Sequence, residues 1–231
     1  MTDKLSQSKK NSFRRRVIEL TITTHLEHFD YYVSKISETF QGEKRTLEDD
    51  LDEMSLGLSK EEAAFLEYEL GADFYLIDDV FLPLFFYSST ISLCAFFESE
   101  FTALCKRLDH AKSQENIWAS LNGSGIQKAK KYLRDHACID FDQLNSYWVE
   151  LNNMQSIRNC LTHANGNISQ MSTESKKDTI RQIASSTNGL SVVGGNKLEI
   201  SEDYLKERSA DVRMFFKRLS EQVYPNEQAA V

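Results

Sequence analysis

The feature that most constrains the fold is the apolar segment over residues 79–110. Its large side chains recur every three or four residues and therefore draw one stripe along a helix. Ile91, Cys94 and Cys105 widen the stripe, and a helix that is apolar on two faces belongs at the centre of a bundle. Pro83 is expected in the first turn, where a missing amide costs little. The stripe consists of Phe86, Thr90, Leu93, Phe97, Phe101, Leu104 and Leu108.

Helical patterns continue on both sides of this segment, because only 2 prolines and 9 glycines interrupt the chain. Ser59 and Glu62 have the spacing of a capping box, which marks the start of a helix. Residues 190–200 read as two short strands around Gly194 and Gly195, which predicts a small β-hairpin. We expect further helices over about 12–40, 59–71, 126–136, 142–162 and 178–184, and a last helix capped by Ser201.

The predicted architecture is all-α, a single domain over residues 1–231. It is an up-and-down helical bundle with a small β-hairpin before the C-terminal helix. Residues 41–58 lose the apolar periodicity and carry many acidic side chains, so we expect an acidic, mobile connection there. The tail over residues 225–231 is expected to fray.

The charge of the chain is acidic overall but uneven along its length. The formal net charge is -8 and the pI is about 5.2, whereas a protein that coats nucleic acid would be basic. This balance still permits an enzyme that meets RNA at a local basic cleft. Basic residues cluster over 9–16, where a solvated helix start is the favoured interpretation and contact with an RNA backbone is the alternative.

The cysteines and the hydropathy of the chain indicate a cytoplasmic protein. Cys94, Cys105, Cys138 and Cys160 show no CxxC pairing, which is typical of reduced, buried thiols, and no clustered ligands suggest a metal site. We find no stretch of about 20 apolar residues that would span a membrane, and no apolar run of the signal-peptide kind near the N-terminus.

Residues 157–166 combine an arginine, an asparagine and a histidine at the end of a predicted helix. Arginine binds phosphate bidentately and stabilises negative charge, while histidine can transfer a proton near neutral pH. On a regular helix, Arg158 and His163 are separated by roughly 140° around the axis. They would converge if the helix closes irregularly before Gly166, or if two copies of the helix meet across a symmetry axis.

The pattern Arg158-Asn159-x-x-x-His163 resembles the R-x4–6-H signature of HEPN domains, in its RN-x-x-x-H form. The central helix with the run over 93–98, one helix upstream, and the hairpin and terminal helix downstream are also similar to stand-alone prokaryotic HEPN proteins. The resemblance covers roughly residues 80–223. It implies a helical bundle, and many such bundles are metal-independent RNases of toxin–antitoxin, phage-defence and CRISPR systems. HEPN toxins silenced by nucleotidylation carry a tyrosine where this chain has Asn165, so that form of regulation is not expected.

The function that the resemblance implies is a dimeric endoribonuclease that acts on RNA without a metal or other cofactor. His163 is then the general acid or base, Arg158 stabilises developing charge, and Asn159 orients the phosphate or the histidine. Glu98 lies on the apolar stripe, where a buried carboxylate needs a cationic partner. Arg158 is the candidate partner, and a glutamate that reaches solvent at the edge of the stripe is the alternative. The expected setting is a toxin or abortive-infection protein, with an antitoxin or regulatory protein as a further partner.

Two other functions fit the same residues. The first is a non-catalytic HEPN module that binds RNA, a nucleotide or a protein partner. The second is a scaffold or antitoxin-like bundle in which the two residues are structural. His163 would then interact with the last carbonyl groups of its helix, and Arg158 with Glu150 or another carboxylate.

Overall fold

The computed structural model describes residues 2–112 and 116–225, with the side chains of residues 7–111 and 116–225. The described residues are 82% helical. The elements are α1 (Thr2–Ser55), α2 (Lys60–Tyr75), a π turn (Leu76–Phe81), α3 (Leu82–Lys112), α4 (Ile117–Ser120), α5 (Gly125–Asp135), a 3₁₀ turn (Asp142–Leu144), α6 (Asn145–Ala164), a 3₁₀ turn (Ile168–Gln170), α7 (Glu174–Ser186), β1 (Leu190–Val193), β2 (Lys197–Ile200) and α8 (Glu202–Val223).

The all-α class with a hairpin before the last helix is confirmed. All seven side chains of the apolar stripe on α3 are buried, as expected for a central helix. The inward face predicted for α6 is buried as well; it consists of Leu144, Trp148, Leu151, Met154, Ile157 and Leu161. The tail predicted to fray lies, beyond Pro225, outside the described residues.

The contacts within the chain define two compact units, of which the first comprises residues 1–28, 91–158 and 207–231. Its core is a cluster of aromatic rings. The ring centroid of Phe101 lies 5.3 Å from that of Phe215 and 6.1 Å from that of Trp148, and Phe97 and Phe216 complete the cluster. These edge-on and stacked contacts add to the hydrophobic effect of burying large side chains.

The second unit comprises residues 29–90 and 159–206. In it, β1 and β2 pair antiparallel in the register Leu190↔Ile200 to Val193↔Lys197, and Gly194 and Gly195 form the turn with φ of 55° and 75°. The loop between the strands has three residues, Gly194, Gly195 and Asn196, and only residues that tolerate positive φ fit its first two positions. The predicted hairpin and its turn at the glycines are therefore confirmed. The Tyr87 hydroxyl donates a hydrogen bond to the Leu198 carbonyl and fastens α3 to the hairpin.

The mobile acidic connection predicted over 41–58 is wrong in its extent. α1 continues as helix to Ser55, and only residues 56–59 leave it before α2 begins. Residues 41–58 lack a periodic pattern of apolar side chains because no side chain from 38 to 76 is buried. The absence of that pattern does not mark the end of the helix. Its glutamate, lysine, arginine and leucine residues have high helix propensity.

Pro83 is the second residue of α3 and so lies in its first turn, as predicted, but the helical run does not begin there. α2 continues past its expected end near Gly71, and the π turn joins it directly to α3. Pro83 has no amide hydrogen, and in a regular α-helix its ring would clash with the carbonyl of Asp79. The wider turn, in which the Leu82 amide donates to the Ile77 carbonyl, accommodates the proline without ending the helix.

One helix among the described residues is long and apolar enough to cross a membrane, judged by length and composition alone. It is the continuous run Lys60–Ala111, and its most apolar 18-residue window has a mean hydropathy of 1.8. No such segment was expected from the amino-acid sequence. Half of the window is buried inside the protein, a property shared by core helices of water-soluble proteins.

We predict that Gly189→Ala destabilises the protein more than Gly194→Ala. Both glycines have positive φ, 72° and 55°, which strains an alanine by about 1–2 kcal/mol. A Cβ at Gly189 would also lie 2.5 Å from the Tyr204 amide nitrogen, whereas nothing lies within 4 Å of one at Gly194. Urea unfolding should therefore show an additional loss of about 1–3 kcal/mol for Gly189→Ala. Equal losses for the two variants would contradict the packing described for the hairpin.

Candidate functional site

The predicted motif occupies the last two turns of α6. Ile157, Cys160 and Leu161 are buried and hold this part of the helix in place. Asn159 and His163 are exposed, and since they are four residues apart they share one face of the helix. The end of α6 therefore presents an amide and an imidazole side by side at the surface of the second unit.

Arg158 precedes this pair by one residue and belongs to the first unit. Its side chain is half-buried. α6 remains helical through Ala164, so Arg158 and His163 leave the helix axis roughly 140° apart, as in any regular α-helix. Of the two routes by which they could converge, an irregular closure of the helix before Gly166 is therefore wrong. The route through a second copy stays a prediction.

A set of backbone contacts fixes the chain after His163. Asn165 and Gly166 have positive φ, 48° and 72°, and turn the chain away from the helix axis. The Leu198 amide donates to the Gly166 carbonyl at 2.9 Å, and a Cβ on Gly166 would lie within 3 Å of the Tyr87 ring. Tyr87 was not predicted to support the site, because no local pattern in the sequence indicates a contact between α3 and the loop after α6.

Arg158 lies in the neighbourhood of the Cys94 thiol. This thiol donates a hydrogen bond to the Met154 carbonyl at 3.6 Å. Burial raises the pKa of this thiol to about 12, while the positive charge of Arg158 lowers it and the carboxylate of Glu98 raises it. Both charged groups therefore lie within electrostatic reach of Cys94. An ion pair between Glu98 and Arg158 remains a prediction.

The structure places the Glu98 carboxylate at the beginning of α5. A Cβ built on Gly125 would lie 2.9 Å from its Oε1 atom. A carboxylate is favourable at that position because the amino end of a helix carries partial positive charge. The alternative partner predicted for Arg158 was Glu150, and that carboxylate accepts a hydrogen bond from the buried Arg208.

α5 provides a basic surface next to α6 within the first unit. The Gln127 amide donates to the Asn152 side chain of α6 at 2.7 Å, which joins the two helices. Lys130 lies 4.5 Å above the Trp148 ring, and burial and then the neighbouring Arg134 lower its pKa. Lys131 is exposed on the same helix. A local basic cleft was expected for an RNA substrate, and the strongly amphipathic pattern over residues 126–134 is the sequence signal that could have located this basic helix.

Metal ligands do not cluster in the described parts of the chain, where no group of three or more His, Cys, Asp or Glu side chains could hold an ion. Comparisons with protein-family models, with curated proteins and with solved structures gave no match. The candidate site is therefore supported by its geometry and by the resemblance of its motif to that of HEPN domains.

We predict that the free energy of unfolding falls as the pH rises from about 9 to about 12, in part because of Cys94. Its pKa is 9.0 when unperturbed and about 12 in the folded protein. The unfolded chain therefore releases this proton at a lower pH than the folded protein. The contribution is fully present below pH 9 and is lost as the pH rises through 12. Urea unfolding at several pH values measures it.

The matched variants for this experiment are Cys94→Ala and Cys138→Ala, since Cys138 is exposed. Cys94→Ala should weaken the alkaline loss of stability, whereas Cys138→Ala should leave its pH dependence as in the unchanged protein. An identical pH dependence in both variants would show that the thiol beside Arg158 is not held neutral by burial.

Proposed function

We propose that the chain is a metal-independent endoribonuclease of the HEPN type. The observation that carries the proposal is the exposed Asn159 and His163 pair at the end of α6, one residue after the half-buried Arg158. An imidazole, a guanidinium and an amide are the groups needed to move a proton and to stabilise a phosphorane-like transition state. The motif's resemblance to HEPN RNases supports the same assignment.

The proposed reaction is an internal transfer at phosphorus. The ribose 2′-oxygen forms a bond to the adjacent phosphorus, the bond from phosphorus to the 5′-oxygen breaks, and the 2′-hydroxyl proton is removed as the 5′-oxygen gains one. His163 transfers a proton in this step, Arg158 binds the non-bridging oxygens, and Asn159 orients the phosphate or the imidazole. The products are a 2′,3′-cyclic phosphate and a 5′-hydroxyl, so no water or metal enters this step.

Glu98 and the basic face of α5 have supporting roles in this proposal. Glu98 is expected to orient Arg158 or the beginning of α5, beside which its carboxylate lies. Lys131 and Arg134 are exposed on α5 and would attract the RNA backbone. A local basic surface of this kind reconciles an RNA substrate with a formal net charge of -8.

Each proposed site needs two copies of the chain. A regular α6 separates Arg158 and His163 by roughly 140°, so one copy does not aim both side chains at one phosphate. Across a twofold axis, Arg158 of one copy and His163 of the other can approach the same phosphate, and the axis generates two such sites. We place this homodimer in the cytoplasm as a toxin or phage-defence protein whose activity an antitoxin or regulatory protein restrains.

Substitution of either residue should abolish cleavage but not folding. His163→Ala removes proton transfer and should reduce the cleavage rate by about 10²–10⁴-fold. Arg158→Ala removes charge stabilisation, a loss on the order of 10²–10³-fold. Both variants should keep the Tm within a few degrees, because neither side chain is fully buried. Arg158→Lys tests whether charge alone suffices, since lysine cannot bind phosphate bidentately.

The assay uses a labelled RNA oligonucleotide, a chelator, and a matched oligonucleotide that is 2′-deoxy at the cleaved position. His110→Ala and Arg181→Ala serve as controls, because both residues are exposed and lie outside the motif. Cleavage should survive the chelator and stop with the 2′-deoxy substrate. If His163→Ala cleaves as fast as the unchanged protein, the proposal is wrong. RNA binding without cleavage would instead identify a non-catalytic binding module.

A further inference from the structure

Residues 41–78 form a two-helix hairpin, which we call the arm. It consists of the end of α1, the turn over 56–59, α2 and the beginning of the π turn. The Lys44 ammonium pairs with the Asp78 carboxylate at 2.6 Å, which joins α1 to the π turn at the base of the arm. No residue from 38 to 76 is buried, so the arm has no core of its own.

The burial pattern of the arm indicates a narrow seam between its two helices. Along each helix, half-buried side chains recur three or four residues apart, as expected where two helices pack together. On α1 these are Lys44, Leu47, Leu51 and Ser55, and on α2 they are Ala63, Leu66, Leu70 and Phe74. Since most helical stability comes from packing of an apolar face, a seam that is only half-buried leaves the arm with apolar surface open to a further contact.

A second apolar stripe on α2 faces solvent. Phe65, Tyr68 and Tyr75 lie on it, and Tyr68 is 80% exposed. Contiguous exposed aromatic side chains of this kind mark an interaction surface. Between residues 41 and 78 the chain has 12 acidic and 3 basic residues, a net charge of -9, while the rest has 23 acidic and 24 basic residues. The arm therefore carries all the net negative charge of the chain.

The N-terminal segment, residues 7–20, has the complementary character. It contains five basic residues and one acidic residue, a net charge of +4. Phe13, Val17 and Leu20 are spaced along one face of α1, and all three are exposed, Phe13 by 69%. Lys10 continues this stripe and Arg16 flanks it, both exposed. A helix with an apolar stripe and basic flanks matches an acidic surface with exposed aromatic side chains.

We propose that the arm of one copy binds the N-terminal segment of a second copy. The exposed aromatic and aliphatic side chains would supply the apolar contact. The opposite net charges, -9 on the arm and +4 on the N-terminal segment, would determine which partner binds and in which orientation. RNA and anionic lipid surfaces are unsuitable occupants, because a strongly acidic surface repels them. The N-terminal segment is present in every copy at the same concentration as the arm.

The contact can close into a symmetric pair. Each copy has one arm and one N-terminal segment, so two copies can make the contact twice, each arm binding the N-terminal segment of the other copy. The contact holds whether or not the protein cleaves RNA.

Charge reversal tests the contact through the mass of the full-length protein in sedimentation equilibrium. The unchanged chain should have twice the mass of 26.6 kDa at micromolar concentration. Lys9→Glu/Lys10→Glu/Arg16→Glu changes the net charge of the N-terminal segment from +4 to -2. Glu48→Lys/Asp49→Lys/Asp50→Lys/Asp52→Lys/Glu53→Lys changes that of the arm from -9 to +1, and all eight residues are exposed. Either variant alone then opposes like charges and should raise the dimer Kd on the order of 100-fold.

Mixing the two variants restores opposite charges at both contacts and should restore the dimer. The control Lys176→Glu/Arg181→Glu reverses two exposed charges on α7 and should leave the Kd unchanged. A monomeric unchanged protein, dimers that persist in both variants, or failure of the mixture to associate would each overturn the proposal. A different, basic protein that co-purifies with the unchanged chain and is lost from the arm variant would also overturn the proposal. Circular dichroism of each variant verifies that the helices are retained.

RNA cleavage by the same variants distinguishes this contact from the composite site. Monomeric variants that lose cleavage and regain it on mixing would support the arm contact and the two-copy site together. Monomeric variants that still cleave RNA would support the arm contact and contradict a site shared between copies.

Discussion

The packing of α3 against α6 at Cys94 and Met154 is the contact on which the candidate site depends. The thiol donates to the Met154 carbonyl at 3.6 Å, and Arg158 lies one helical turn beyond that carbonyl on the same helix. Because the thiol is held neutral by burial, the charges near it belong to Glu98 and Arg158. A larger side chain at position 94 would therefore disturb this packing one helical turn before Arg158.

A second constraint is the separation of charge along the chain. The arm has a net charge of -9 and the N-terminal segment one of +4, although both contain exposed aromatic or aliphatic side chains. Such a distribution favours association between unlike ends of two copies over association between like ends. The acidic pI of the chain thus results from the charges of the arm. It says nothing about the local charge of α5, whose surface is basic.

Much of the fold could be predicted because its elements have local signals. The apolar stripe of α3, the inward face of α6, the capping box at Ser59 and the Gly194-Gly195 turn were all confirmed. Helix propensity, not apolar period, would have identified the exposed helix over 41–55. The π turn before Pro83 and the contact between Tyr87 and the hairpin depend on distant parts of the chain. Arg158, Asn159 and His163 were singled out by their motif, yet no sequence pattern reveals how their side chains are arranged.

The central claim is that each active site combines Arg158 of one copy with His163 of another. The most direct measurement mixes the inactive variants Arg158→Ala and His163→Ala under conditions where subunits exchange, and follows RNA cleavage. A mixed dimer contains one intact site and one site that lacks both residues, so the account predicts recovery of about a quarter of the original activity at random pairing. If the mixture remains as inactive as either variant although mixed dimers form, the site lies within a single copy and the account is wrong.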